Sequence, residues 1–213
     1  GLDGLIMPGG ESTSMVLIAE RSGMMEPLRE YVSDSRHAVW GTCAGLILLS
    51  SQLTNAELLD GTASHRFWFV LTGITSGERP QPLLGGLGVT CCRNFFGRQL
   101  NSFVQKIPIP VAMHELKTQG GGNRSVGDTF DAVFIRAPAI MSVDDSNVEV
   151  LAEVDVPSTH ASASSAEVPK RVTVAVRQGR LLGTAFHPEL TSDLRWHALF
   201  VDMVKRTAAA AAK

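Results

Sequence analysis

Cysteine is scarce in this 213-residue chain: there are three, and two of them, Cys91 and Cys92, are adjacent. Three thiols in this pattern do not make a disulfide framework, which fits a reducing, cytosolic setting. Charge of one sign is also lacking. A net charge of -2 gives no reason to expect nucleic acid or an anionic membrane as partner. No apolar run is long enough to cross a bilayer, and the opening residues lack a basic-then-apolar leader pattern. Metal-ligand spacing is missing too. His114, His160 and His197 have no partners at zinc-site intervals, and Cys91-Cys92 has no second pair, so no metal site is expected. There is no internal repeat.

What is present suits one globular domain spanning 1–213, with 44% hydrophobic and 19% charged residues. Gly4-Leu-Ile-Met7 reads as a buried strand stopped by Pro8-Gly9-Gly10. Glu11-Ser12-Thr13-Ser14 then leads into a helix, with Ser or Thr as the preferred N-cap. A second amphipathic helix is predicted over 24–33. Further strands are predicted at 67–71, 88–92, 103–109, 132–135 and 148–156, and loops at 120–124 and 157–166. Residues 171–176 and 180–186 form a hairpin by spacing and turn chemistry, and 194–207 a closing helix. Short apolar runs interleaved with helices, then a strand-rich second half, predict an α/β fold. The expectation is a three-layer sandwich around a mostly parallel central sheet, with an antiparallel extension.

The stretch His37 to Ser50 carries the chemistry. A buried strand ends at Trp40, Gly41, Ala44 and Gly45 crowd around Cys43, and Leu46 to Leu49 begin a buried helix. A strand turning sharply into a helix with a nucleophile at the turn is a nucleophile elbow. Small neighbours suit its tight backbone, and the helix N-terminus favours thiolate. Taken alone, Cys43 reads equally as a buried structural cysteine. His187 and Glu189, two apart at a strand end, suit a base and the carboxylate that orients it, or else a surface histidine beside a glutamate. Pro8-Gly9-Gly10 is a plain turn or a source of backbone N–H donors for an oxyanion, with Gly10 and Ala44 supplying them. Jointly these are the parts for acyl transfer through a thioester.

Five segments occur in order: Pro8-Gly-Gly-Glu-Ser-Thr13, Gly41-Thr-Cys-Ala-Gly-Leu46, Arg93-Asn-Phe-Phe-Gly-Arg-Gln99, Phe134-Ile-Arg-Ala-Pro138 and Phe186-His-Pro-Glu-Leu-Thr191. Together they resemble the glutaminase subunits of pyridoxal 5'-phosphate synthase, within the class I (triad) glutamine amidotransferases. The resemblance runs from end to end of the chain. It implies a flavodoxin-like fold, with Cys43 as the nucleophile on the glutamine amide and His187 and Glu189 completing the triad. It also implies that Gly10, Glu11 and Ser12 border bound glutamine, while Arg93, Ile135 and Arg136 hold its amino-acid end. Guanidinium and backbone N–H donors suit a free carboxylate. Ammonia is expected to pass to a synthase subunit, and the hydrolysis needs no cofactor.

The resemblance also implies a first strand and helix, with a Gly-Leu-Gln-Gly-like loop, ahead of Gly4; the expectation is that the chain lacks them. Residues 52–82, 114–127 and 157–169 read as surface insertions. Two other readings are open. One is a triad amidotransferase of another pathway, against which the Arg93–Gln99 and Ile135–Pro138 segments argue. The other is a non-catalytic elbow-cysteine protein, a redox sensor or binding module, which would need neither His187 nor Glu189.

Overall fold

A computed structural model of the chain describes residues 1–55, 81–93, 95–96, 102–116, 127–156 and 169–212. Within these, the first half runs β1 (Gly4–Met7), α1 (Ser12–Arg21), α2 (Met25–Ser33), β2 (Ala38–Thr42), α3 (Ala44–Leu49), β3 (Ser50–Asn55) and β4 (Leu87–Arg93). The second half runs β5 (Phe103–Pro108), α4 (Val111–Leu116), β6 (Thr129–Phe134), β7 (Ala139–Val143), β8 (Glu149–Asp155), β9 (Arg171–Gln178), β10 (Leu181–Thr184) and α5 (Arg195–Ala211). The expected strand at 67–71, the loop at 120–124 and most of the three suspected insertions lie outside the described residues.

The fold is α/β, built on a mixed sheet in the order β1-β2-β10-β9-β7-β4-β3, with β8 also on β9. β1, β2 and β10 run parallel, as do β3 and β4, whereas β9 and β7 join these two groups through antiparallel pairs. Every residue of β2 is buried, as suits a strand covered on both faces.

The pleat sets the layers, because successive side chains point to opposite faces. Trp40 packs under α5, its ring 5.2 Å from His197 and 5.6 Å from Phe200. Gly41 faces the other way, against α3: a Cβ there would lie 2.4 Å from the Gly45 backbone. Gly41 is paired across the strands with Gly183, where a Cβ would lie 2.6 Å from Leu46. This glycine pair lets α3 sit down on the sheet, so the helix start is fixed close above the end of β2.

The 171–186 hairpin forms as β9 and β10, with Gly179 at φ 56° in the turn, a conformation glycine adopts without strain. β5 and β6 make a separate two-stranded antiparallel sheet. An aromatic cluster joins it to the rest: Phe103 stacks on Phe134 at 4.7 Å, Phe134 meets Phe186 at 5.9 Å, and Phe186 meets Trp196 of α5 at 5.1 Å. Phe186 is fully buried, so the residue after it, His187, is delivered by a rigid support. Among the described residues no helix is long and apolar enough to cross a membrane.

Two local details differ from the sequence expectation. The N-cap of α1 is Glu11, not a serine or threonine, and its carboxylate accepts hydrogen bonds from the Thr13 and Ser14 N–H groups and the Ser14 hydroxyl. Glu11 itself is extended, at φ -97° and ψ 109°, and its carboxylate folds back onto the first turn. The chain also leaves β10 at Thr184, so Glu189 lies not on a strand but in a 3₁₀ turn, Pro188–Leu190.

Candidate active site

Cys43 occupies the turn between β2 and α3 with φ 47° and ψ -103°. Among the described residues only Cys43 and Arg136 combine a side chain with positive φ. Such strain persists only where the surroundings over-determine it. Here the Cys43 N–H donates to the Thr184 carbonyl at 2.8 Å and its carbonyl accepts from Ile47 N–H at 3.2 Å. Gly45, behind it, is pressed against β1: a Cβ would lie 2.1 Å from the Met7 carbonyl oxygen. The small residues around the thiol are thus required by backbone-to-backbone contact.

β10 lies next to β2, so the residues after its end arrive beside Cys43. His187 is tied there by its N–H to the Val133 carbonyl, 2.9 Å. Its Nδ1 is 2.8 Å from Glu189 Oε1, the carboxylate being turned towards the ring by the 3₁₀ turn. Gly9 lies against both residues: a Cβ on it would meet His187 Cε1 at 2.4 Å and Cys43 Cβ at 3.4 Å, so a side chain at this position would collide with the imidazole.

The imidazole is pushed up to about 9. The Cys43 side chain is the leading cause, burial opposes it, and the Glu189 carboxylate adds to the rise. His187 Nε2 is buried without a hydrogen-bond partner among the described residues, so proximity of the sulfur rather than a well-formed S–H bond accounts for its influence. An imidazole in this state carries a proton at neutral pH and can give it to a leaving amine. Cys91 and Cys92, fully buried in β4, are both pushed up to about 12, chiefly by burial. They are inert thiols at neutral pH.

A second group of side chains lies at the start of α1. Arg93, at the end of β4, points its Nη1 at Thr13 Oγ1 (3.3 Å) and at Gln81 Oε1 (2.5 Å). The same Gln81 oxygen accepts from Ser12 Oγ at 3.1 Å. Ser12 and Arg93, both named from the sequence, thus meet at one oxygen of Gln81, which, like Thr13, the sequence does not single out. Gln81 carries no motif and lies within the 52–82 stretch that reads as an insertion. Glu11 is engaged as a helix cap: burial nudges its carboxyl up, but the hydrogen bonds from Ser14 and Thr13 outweigh this and hold it at about 2. Gly10, at φ 154°, adopts a backbone that favours glycine, and Ala44 opens α3 at Cys43, where first-turn N–H groups have no partner inside the helix. Ile135 is half-buried and Arg136 exposed, directly after β6. The Phe96 N–H donates to Ala137 O at 3.5 Å, which sets the segment following Arg93 beside this one. Asn94 and 97–99, the rest of that motif, lie outside the described residues.

Known proteins resemble this chain over most of its length. The family model for the SNO glutamine amidotransferase family matches residues 1–62 and 69–206. A probable pyridoxal 5'-phosphate synthase subunit PDX2 of Arabidopsis thaliana is 42% identical over 94% of this chain and 71% of its own. The pyridoxal 5'-phosphate synthase subunit PdxT of Aeropyrum pernix is 39% identical over 97% of this chain and 79% of its own. A crystal structure of a glutamine amidotransferase superposes with a TM-score of 0.64 at 32% identity, covering 96% of this chain and 80% of that one. The chain belongs to the SNO glutamine amidotransferase family.

Proposed function

We propose that this chain hydrolyses L-glutamine to glutamate and ammonia through a thioester on Cys43, and passes the ammonia to a pyridoxal 5'-phosphate synthase subunit. The observation that carries this reading is the strained Cys43 turn, with His187 beside it and Glu189 on the far ring nitrogen. The family and the names of the relatives supply the substrate and the partner.

In the first step the Cys43 sulfur adds to the side-chain amide carbon of glutamine. The oxygen becomes an oxyanion facing the Gly10 and Ala44 N–H groups, preorganised donors that act where the charge develops. His187 Nε2 gives its proton to the amide nitrogen, the C–N bond breaks, and ammonia leaves with the thioester behind. Water then attacks the thioester carbon as His187 takes its proton, and the C–S bond breaks to release glutamate and the sulfur. Glu189 holds Nδ1, which keeps Nε2 aimed at the sulfur and stabilises the imidazolium. Gly10, Ser12, Arg93, Ile135 and Arg136 would hold the amino-acid end of the substrate, and Glu11 would act by fixing the start of α1. No cofactor enters these steps. The chain works as a single amidotransferase domain in a hetero-oligomer with the synthase subunit, in a reducing, cytoplasmic setting.

The test is glutamate release from L-glutamine, with and without the synthase subunit, for the wild type and for Cys43→Ala. Turnover that depends on Cys43 and rises with the partner is the expected result. A loss on the order of 10⁴-fold or more is expected in the variant, since a nucleophile and its base act as a unit. Turnover in Cys43→Ala near the wild-type rate would overturn the mechanism.

A further inference from the structure

The Gln81 side chain joins the proposed substrate-holding group, and its two ends are in opposite states. Its Oε1 is shared by three donors, Ser12 Oγ, Thr13 Oγ1 and Arg93 Nη1, at 3.1, 3.4 and 2.5 Å. Its Nε2 is buried and has no hydrogen-bond partner among the described residues. Turning the amide over does not relieve this, because guanidinium is donor-only and would then face the NH₂ group. Arg93 therefore dictates which end of the amide is oxygen, and the orphaned donor is a consequence of its charge. Buried donors without acceptors are rare, and one among the residues read as substrate holders suits an acceptor that arrives with the substrate.

We infer that Gln81 is a further substrate-binding residue, whose Nε2 donates to the α-carboxylate of L-glutamine while its Oε1 holds Arg93 in place for the same carboxylate. The inference rests on the reading of Ser12 and Arg93 as holders of the substrate's amino-acid end. An anionic oxygen is the acceptor that suits both a neutral amide N–H and the adjacent guanidinium. The group contributes specificity for a free amino acid over an amide-capped or peptide-bound glutamine, whose carboxyl carbon bears no charge.

The experiment measures equilibrium binding of L-glutamine and of L-glutaminamide to the Cys43→Ala protein assembled with its synthase subunit, which separates binding from turnover. In this background Gln81→Glu keeps the acceptor for Arg93 but replaces the donor with a second carboxylate oxygen. The Kd for L-glutamine should rise about ten-fold or more, the loss expected when a hydrogen bond to a charged group is removed. The rise for L-glutaminamide should be several-fold smaller. Gln81→Met, which removes both polar ends at similar volume, should show the same preference for penalising L-glutamine, and thermal melts would confirm that both variants are folded. If Gln81→Glu and Gln81→Met bind L-glutamine as the parent does while Arg93→Leu loses affinity, the assignment of Gln81 fails and that of Arg93 stands. Equal penalties on the two ligands likewise overturn it. If Arg93→Leu also binds normally, the reading of the substrate-holding group itself falls.

Discussion

The molecule holds two kinds of buried cysteine, and the contrast between them locates the chemistry. Cys91 and Cys92 lie in β4 with regular strand backbone and no accessible surface, and burial pushes both up to about 12. Cys43 is nearly as buried, at 5% exposure, but sits on a left-handed turn with an imidazole beside it. Burial alone produces an inert thiol. What distinguishes Cys43 is the turn that lifts it from the sheet at a helix start and the neighbouring strand that brings His187 to it.

The contrast can be broken most directly by alkylation. A thiol at about 12 is ionised to roughly one part in 10⁴ to 10⁵ near pH 7.5, so iodoacetamide should modify Cys43 at least about 1,000-fold faster than Cys91 or Cys92. Peptide mapping after partial reaction reads this out, and comparable labelling of Cys91 would remove the distinction. A smaller effect sharpens the same comparison from the histidine side. His187 should titrate near pH 9 by NMR in the wild type, and its midpoint should drop towards 6.5 in Cys43→Ala, because the leading cause of the rise is gone. A raised imidazole stabilises the fold fully below about pH 6.5, and that contribution is lost as pH rises through about 9. The variant should therefore lose less stability than the wild type across that window. A midpoint unchanged in Cys43→Ala would show that Glu189 alone sets the imidazole. The smallest effect is at the cap of α1. Glu11→Gln should cost no more than about 1 kcal/mol in denaturant melts at neutral pH, as for an exposed cap. It should also remove the stability that the wild type loses between about pH 4.5 and pH 2, the window set by a carboxyl lowered to about 2. Equal acid sensitivity in both proteins would mean that the cap does not form in solution.

The thiol end of the candidate site was legible in the sequence and the group at the start of α1 only in part, for a physical reason. Cys43 with Gly41 and Gly45, and His187 with Glu189, are local patterns, because an elbow and a short turn are made by residues adjacent in the chain. Even there the cause of the His187–Glu189 contact was misread, since the 3₁₀ turn and not strand alternation makes it. Gln81 was not legible: its contacts with Ser12 and Thr13 span 69 and 68 residues and follow no period. The α/β class followed from interleaved runs and helices. The position of β9 did not, because an antiparallel strand between parallel groups depends on pairings that no local pattern encodes.

The Cys43 N–H bond to Thr184 O, across from β2 to β10, has a bearing on time as well as distance. The turn that carries the nucleophile is bonded to the end of β10, and His187, which follows that end, is itself fastened to β6. A backbone fluctuation that parts these segments must break those bonds, and bonds in the middle of a sheet open more rarely than those at exposed helix ends. The group at the start of α1 is held instead by exposed side-chain hydrogen bonds. The backbone that carries Cys43 and His187 therefore stays assembled while the start of α1 is the part that loosens first.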